Sequence, residues 1–303
     1  MRAQIQLLPD GRRLHLHDGP IDLVVEAFGT PNAIDCAYRA ASARFANVLD
    51  ELCRELPLLR QPPTDPPEGR IARSMYAAVL PYTPNYFITP MAAVAGAVAE
   101  EVLLAMTSAV LLARAYVNNG GDIALHLTPG ESFATGMIDN PSRESFFGTV
   151  TLDFSQPARG IATSGWRGRS FSRGIADAVT VLADRASQAD AAATIIANAV
   201  DLPGHPAITR VPACFLSPDS DLGPRLVTQG VGRLTSEEIA AALSAGAIVA
   251  RSLVSARLIH SAVLHLSGET QLADASTHVG ARALACPPGK ICAFPAPGSP
   301  FHA

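Results

Sequence analysis

The sequence lacks the features that mark several common functional classes. No cluster of lysine and arginine residues with interleaved aromatics is present and the formal net charge is −4, so nucleic acid is not an expected partner. No HExxH motif or paired-carboxylate pattern supports a zinc hydrolase, and no G-x-S-x-G elbow surrounds Ser164 to support a serine hydrolase. Internal repeats and low-complexity linkers are also missing, which favours one domain over residues 1–303.

Cysteine is scarce. The chain has five cysteines, an odd number, and its start alternates polar and apolar residues instead of carrying a signal-peptide core. This predicts reduced thiols and a cytoplasmic protein. Cys286 and Cys292 are spaced to form a disulfide or part of a metal site. Without a second Cys/His cluster at zinc spacing, two ordinary cysteines are the simpler interpretation.

Long uncharged runs are missing too. The most hydrophobic segment, residues 89–117, is interrupted by Glu100 and Glu101, so it falls short of the roughly 18–20 uncharged residues that span a bilayer. Thr89 is a suitable N-cap, and Pro90 suits the first helical turn. We therefore expect a buried helix over residues 89–117, no membrane partner, and a solvated edge for the two glutamates.

Hydrophobic spacing predicts an α+β fold with antiparallel sheets packed against long alanine-rich helices. Residues 1–30 alternate around an Asp-Gly turn and indicate strands, residues 35–56 have helical spacing, and the proline-rich residues 60–70 indicate a surface loop. Alternation in GDIALHL, SFFGTVTLDFS, GIATSG, AVTVLADRA and ARLIHSAVLHLSGE predicts further strands, with loop residues between the first two. Thr235 and Glu238 form a capping box that begins a late helix.

Two glycines lie in YVNNGGDIAL, residues 116–125. Paired glycines permit positive φ and let backbone N–H groups approach a ligand closely, but they also end helices. Asn119, Gly120, Gly121 and Asp122 are therefore candidates for ligand binding, and a helix C-cap is the alternative. The spacing matches neither a Rossmann loop nor a P-loop.

Hydroxyl and guanidinium groups gather in GIATSGWRGRSFSRGIAD, residues 160–177. Thr163, Ser164 and Gly165 follow an apolar strand, and arginines such as Arg173 come close behind. Such groups hold a pyrophosphate through backbone N–H, O–H and bidentate guanidinium contacts. A polar surface hairpin has the same composition, so this alternative stays open.

One carboxylate and one hydroxyl interrupt the apolar stretch QADAAATIIANAV. Asp190 and Thr194 are one turn apart on a single helical face, a spacing that lets both give oxygen ligands to Mg²⁺. The alanines around them would let the helix approach other backbone closely. The alternative is an aspartate at the solvated edge of an amphipathic helix.

In this order, the motifs NNGGDI, ATSG and ADAAAT resemble those of the ApbE superfamily, the FAD:protein FMN transferases, over about residues 85–205. The resemblance implies a T-fold-related domain that binds FAD and Mg²⁺ in a cleft. It would carry FMN to a Ser/Thr hydroxyl of an acceptor protein, or to water as an FAD pyrophosphatase. Asp190 and Thr194 are then the catalytic residues and metal ligands. The implied cofactor-binding residues are Asn119, Gly120, Gly121, Asp122, Thr163, Ser164, Gly165 and Arg173.

Two departures from the family pattern leave the activity open. The family's Lys-Gly pair corresponds to Ala95 and Gly96, so a cation that contacts the nucleotide is missing. The histidine-containing stretch after TSG is replaced by FSRGIADAVTV, where Arg173 is a candidate substitute. Three hypotheses follow: a working FMN transferase or pyrophosphatase, a non-catalytic module for a flavin, pterin or similar nucleotide-like ring, or an enzyme of cofactor biosynthesis with a different substrate. A homo-oligomer is also left open, because alanine-rich helices pack equally in a core or across a dimer interface.

Overall fold

A computed structural model describes residues 3–140 and 146–274 of the chain. Its helices are α1 (Pro31–Phe45), α2 (Val48–Leu59), α3 (Arg70–Val79), α4 (Val94–Ala109), α5 (Ala186–Ala199), α6 (Ala213–Leu216) and α7 (Ser236–Ser255), with 3₁₀ turns at Leu80–Tyr82 and Pro90–Ala93. Its strands are β1 (Gln4–Leu7), β2 (Leu14–Asp18), β3 (Ile21–Phe28), β4 (Arg114–Asn119), β5 (Asp122–Leu127), β6 (Ser132–Ile138), β7 (Phe146–Asp153), β8 (Gly160–Ser164), β9 (Ala178–Ala183), β10 (Ile208–Pro212), β11 (Leu226–Val231), β12 (Ser261–Leu266) and β13 (Glu269–Asp274). Cys286 and Cys292 lie outside the described residues.

Nine of the strands form one antiparallel sheet in the order β1-β2-β3-β4-β5-β8-β9-β12-β13. Successive side chains of a strand point to opposite faces of a sheet. Helices α1, α4, α5 and α7 pack against one face and form the main hydrophobic core. The β6–β7 hairpin covers part of the other face, where Phe133 and Leu152 pack with Tyr116 and Ile161. The predicted α+β class, with an antiparallel sheet against alanine-rich helices, is confirmed, and the extent of one domain over residues 1–303 stays a prediction.

Small residues bring α5 close to its neighbours. Ala186 is sandwiched between Gly160 of β8 and Gly96 of α4: a Cβ on Gly160 would lie 2.2 Å from the Ala186 nitrogen, and one on Gly96 would lie 2.3 Å from the Ala186 oxygen. Real Cβ atoms do not approach backbone this closely. The alanine-rich composition of α5 therefore serves close packing in the core, as the sequence predicts.

The long hydrophobic segment is shorter as a helix than the sequence predicts. A 3₁₀ turn and α4 occupy Pro90–Ala109, but Val110 is extended, and β4 begins at Arg114. The helical prediction is therefore wrong for residues 114–117, which pair with β3 and β5. Pairing with neighbouring strands of the sheet decides the conformation of residues 114–117, although their hydrophobic spacing continues the pattern of the helix.

The two glutamates of α4 are not at a solvated edge. The side chains of Glu100 and Glu101 are only 15% and 11% exposed, because each pairs with an arginine from another part of the chain. Glu100 binds Arg185, and Glu101 binds Arg44. The expectation of solvated carboxylates is wrong, and both groups join helices together.

For the other elements, the sequence predicts the type of element more accurately than its boundaries. Residues 35–56 lie in two helices, α1 and α2, which are separated at residues 46–47. The segment between β5 and β7, predicted as loop, contains β6. Residues 60–69 are neither helix nor strand, which confirms most of the proline-rich loop over 60–70. The capping box of Thr235 and Glu238 begins α7, as predicted.

Two helical segments, Pro90–Ala109 and Ser236–Ser255, are long and apolar enough to cross a bilayer by length and composition alone. Both pack against the sheet, and 44% of each apolar window is buried inside the protein. Both contribute buried side chains to the hydrophobic core.

Candidate functional site

The Gly-Gly motif forms a hairpin turn between β4 and β5. Gly120 has φ of +65° and Gly121 has φ of +117°, a pair of positive values that suits a two-residue hairpin loop and favours glycine at both positions. The N–H of Gly121 donates to Oδ1 of Asn118 over 2.8 Å. Asn119 donates from Nδ2 to the carbonyl oxygen of Ala95 over 3.2 Å and so ties the turn to the start of α4. The helix C-cap alternative is wrong, since the residues before the glycines are a strand.

Asp122 lies at the start of β5, on the face that packs against the helices. Its neighbour two residues along, Ala124, belongs to the core on that face. Oδ1 of Asp122 accepts a hydrogen bond from the backbone N–H of Thr163 over 3.2 Å. The side chain of Thr163 points to the opposite face, where its Oγ1 lies 2.9 Å from Oγ1 of Thr180. Thr163 therefore meets Asp122 through its backbone, and its hydroxyl faces away from the helices.

Asp190 of α5 lies against the first turn of α4. Its Oδ2 accepts a hydrogen bond from the backbone N–H of Gly96 over 3.0 Å. The N-cap of α4, Ala93, provides no side-chain acceptor, so Asp190 satisfies a helix N–H that would otherwise lack a partner. Glu100 does the same in the other direction, because its Oε1 accepts from the N–H of Ser187 over 2.8 Å near the start of α5. The two helices thus cap each other.

The carboxylates of Asp122 and Asp190 lie close enough for the charge of one to act on the other. Burial raises the pKa of Asp122 to about 7, against the opposing effect of the Thr163 N–H. Burial, followed by the negative charge of Asp122, raises the pKa of Asp190 well above its usual range, against the opposing N–H groups of Gly96 and Ala95. As whole residues, Asp122 and Asp190 have intermediate solvent exposure. A proton or a cation between the two carboxylates relieves their repulsion.

The remaining predicted residues follow this pair along α5 and β8. Thr194, half-buried, is one turn beyond Asp190 on α5, and Ser164 ends β8 on the same face as the core residue Ala162. Gly165 is required for close packing, because a Cβ there would lie 2.3 Å from the Asp177 carbonyl oxygen. The predicted residues from the turn, β8 and α5 therefore converge at one end of the sheet.

The arginines of residues 160–177 go to different places. The backbone N–H of Arg173 donates to Asn198 over 2.8 Å near the C-terminal end of α5, and its side chain is exposed. Arg167 binds Asp177 over 2.7 Å. Arg169 lies beside the glycine turn: a Cβ on Gly120 would be 3.7 Å from its Nη1. The sequence prediction includes Arg169 among the arginines of this segment without singling it out, because nothing in the local pattern distinguishes it from its neighbours.

The donor set suits a hard divalent cation better than zinc. Within residues 3–140 and 146–274, no group of three or more His, Cys, Asp or Glu side chains could hold a metal alone. Two carboxylates and a threonine hydroxyl leave places for water and substrate oxygens, which is the usual coordination of Mg²⁺. Asp122, Asp190 and Thr194 are the residues that could hold such an ion.

Comparison with known proteins identifies relatives. A family model described as AbpE bacteria matches residues 5–272. A UPF0280 protein of Methanopyrus kandleri is 38% identical over 131 residues, which are 42% of this chain and 48% of that protein. A UPF0280 protein of Methanococcoides burtonii is 40% identical over 119 residues, 39% of this chain and 48% of that protein. The matches thus span about half the length of these relatives.

A solved structure is also similar. A mutant of the flavin transferase ApbE from Vibrio cholerae aligns with 88% of this chain and 98% of its own, with a TM-score of 0.37 and 13% sequence identity. At that distance the alignment is no basis for matching individual residues.

Proposed function

This chain belongs to the AbpE bacteria family, and from that premise we propose that it is a Mg²⁺-dependent enzyme acting on FAD. It transfers FMN from FAD to the hydroxyl of an acceptor protein or, without an acceptor, to water. The matches cover only about half the length of the relatives. The substrate and the acceptor are therefore part of what we propose. The proposal also places the protein in the cytoplasm.

The single observation that carries the proposal is the Asp122–Asp190 pair. Two carboxylates with raised pKa values at one end of a sheet are costly to keep ionised without a positive partner. Asp122 on β5 and Asp190 on α5 come from distant parts of the sequence, and as whole residues both have intermediate solvent exposure. An arrangement of this kind is typical of a site that receives a cation with its ligand.

The proposed magnesium ligands are Asp122, Asp190 and Thr194. A bound Mg²⁺ would neutralise phosphate oxygens and stabilise the charge that develops on the leaving AMP. The Gly120–Gly121 turn lets backbone approach the nucleotide closely, and Asn119 holds that turn against α4. Ser164 and Gly165 are proposed to contact the phosphates, together with the arginines Arg169 and Arg173. Thr163 positions Asp122 instead, because its backbone N–H already donates to that carboxylate.

The proposed reaction breaks one phosphoanhydride bond. The acceptor oxygen attacks the phosphorus on the FMN side, and the bond from that phosphorus to the bridging oxygen breaks, so AMP leaves with that oxygen. The acceptor proton must be removed as the new bond forms. In this proposal Asp122 and Asp190 are engaged by the metal, so the proton passes to solvent water.

A second candidate function rests on Ala95. Ala95, the residue before Gly96, has no charged side chain, and its carbonyl oxygen accepts a hydrogen bond from Asn119. Without a cation there, the same site would bind a flavin, a pterin or another nucleotide-like ring without turnover. Binding that is insensitive to EDTA, with no cleavage, distinguishes this candidate from the enzyme.

The test is chromatography of purified protein incubated with FAD, with Mg²⁺ or with EDTA. We expect FMN and AMP to form only with Mg²⁺, and we expect Asp190→Ala and Asp190→Asn to abolish their formation. The asparagine keeps an acceptor for the Gly96 N–H, so it separates charge from helix capping. Asp219→Asn, at an exposed aspartate outside the site, is the matched control and should cleave FAD like wild type. Folded wild-type protein that releases no AMP would contradict the enzymatic proposal.

A further inference from the structure

A second concave region lies between α3, α4 and the turn into α5. It is a cavity of about 590 Å³, within the roughly 300–1,000 Å³ of typical small-molecule sites. Asp122 and Asp190 do not line it. The cavity is therefore separate from the site proposed for FAD.

Four guanidinium groups line this cavity, those of Arg70, Arg73, Arg159 and Arg185. Arg185 binds Glu100 over 2.6 Å, and Arg70 lies 3.7 Å from Glu101. The other two arginines form no ion pair with a carboxylate among the described residues. Arg159 donates instead to backbone carbonyl oxygens, including that of Phe154 over 3.0 Å. Among the described residues, Arg73 is thus left without a carboxylate partner, and Arg159 has only a longer-range interaction with the carboxylate of Asp153.

The carboxylates of the cavity are already engaged. Glu100 accepts from the N–H and Oγ of Ser187 as well as from Arg185. Glu101 binds Arg44 over 2.9 Å. Asp184 binds His260 over 2.8 Å. None of these three carboxylates forms an ion pair with Arg73 or Arg159.

The cavity also has an apolar surface. Ala97, Leu103 and Leu104 line it from α4, and Ala124 and Leu125 line it from β5. Leu104 is 46% exposed although it borders this concave region. Apolar side chains beside unpaired guanidinium groups suit a ligand with an anionic head and a hydrocarbon portion.

We propose that this cavity is a second binding site, which takes a small organic anion with a phosphate or carboxylate head and an apolar ring or chain. Arg73 and Arg159 bind the head, and Leu104, whose side chain is exposed, contacts the apolar portion. This inference does not depend on the proposed action on FAD, because no residue of the Asp122–Asp190 pair contributes to it.

The test uses 1-naphthyl phosphate as the probe and isothermal titration calorimetry as the measurement. Its neutral counterpart, 1-naphthol, has the same ring without the anionic head. We expect the phosphate ester to bind wild-type protein and Arg73→Glu to weaken binding by about tenfold or more, because one attraction becomes a repulsion. Leu104→Glu, at a half-exposed position, is a second variant that should weaken it by a similar factor. Arg251→Glu, at an exposed arginine on α7, is the matched control.

Three outcomes would overturn the proposal: no binding to folded wild type at millimolar probe, unchanged binding in both Arg73→Glu and Leu104→Glu, or equal binding of naphthol. Loss of binding in Asp190→Asn with full binding in Arg73→Glu would also overturn it, since the probe would then occupy the other site. Circular dichroism of each variant checks that the fold is intact.

Discussion

Asp190 accepts a hydrogen bond from the backbone N–H of Gly96 over 3.0 Å, so the carboxylate predicted to hold a metal also caps a helix. Charge and capping are separable properties of this side chain. An asparagine retains an oxygen acceptor for the N–H but loses the negative charge. The hydrogen bond between Asp190 and Gly96 therefore explains why Asp190 lies in an apolar helix without being at its solvated edge.

The first prediction concerns pH. The folded-state pKa of Asp122 is raised to about 7 by burial, so the folded protein holds a proton that the unfolded chain releases above about pH 4. In EDTA, Asp122 therefore lowers the free energy of unfolding as pH rises from about 4 to about 7. The contribution is at most about 4 kcal/mol, because one pKa unit corresponds to about 1.4 kcal/mol.

Urea titrations of wild type and Asp122→Asn across this pH range measure the effect. We expect the variant to lose less stability than wild type as pH rises, and Asp219→Asn to follow wild type. Adding Mg²⁺ at pH 8 should recover stability in wild type and not in Asp122→Asn. Parallel curves for wild type and Asp122→Asn would show that Asp122 is not the titrating group.

The second prediction concerns the contact between α4 and α5. A Cβ at Gly96 would lie 2.3 Å from the Ala186 oxygen, so Gly96→Ala must push the two helices apart. Alanine normally favours a helix interior over glycine by about 1 kcal/mol, so any loss of stability reflects the contact. We expect a loss of about 2 kcal/mol or more in thermal or urea unfolding.

Gly29→Ala is the matched control for this change. A Cβ there would meet Ala33 and Leu112 at an ordinary 3.6 Å, and we expect a change within about 0.5 kcal/mol. Equal stability of the two variants would mean that α4 and α5 can separate without cost.

The third prediction separates two arginines. Arg169 lies beside the glycine turn, and its Nη2 donates to the Pro20 carbonyl oxygen over 3.4 Å, whereas Arg173 is held near the end of α5 by its backbone. We expect Arg169→Gln to raise the KM for FAD by about tenfold, since a guanidinium contact with phosphate is lost. Arg173→Gln should raise it by less. The reverse order would support the arginine that the sequence alone suggested.

Local patterns predicted element types better than they predicted partners. Alternation identified β5, β7, β8, β9 and β12, and the capping box of Thr235 identified the start of α7. The helix ending at Ala109 was extended too far in the sequence prediction, because residues 114–117 are apolar and continue the same run. Their conformation depends on pairing with β3, a strand about ninety residues earlier in the chain. Sequence spacing does not report such pairing.

The sequence by itself placed Asp190 and Thr194 on one helix face, because residues at i and i+4 are neighbours wherever the helix lies. It also determined the turn at Gly120 and Gly121, since positive φ is cheap for glycine. Only the tertiary structure decided that Asp122 joins Asp190, that the Thr163 hydroxyl faces away, and that Arg169 lies at the turn. The reason is physical: sheet register assigns each side chain to a face, and non-local packing sets which charges meet.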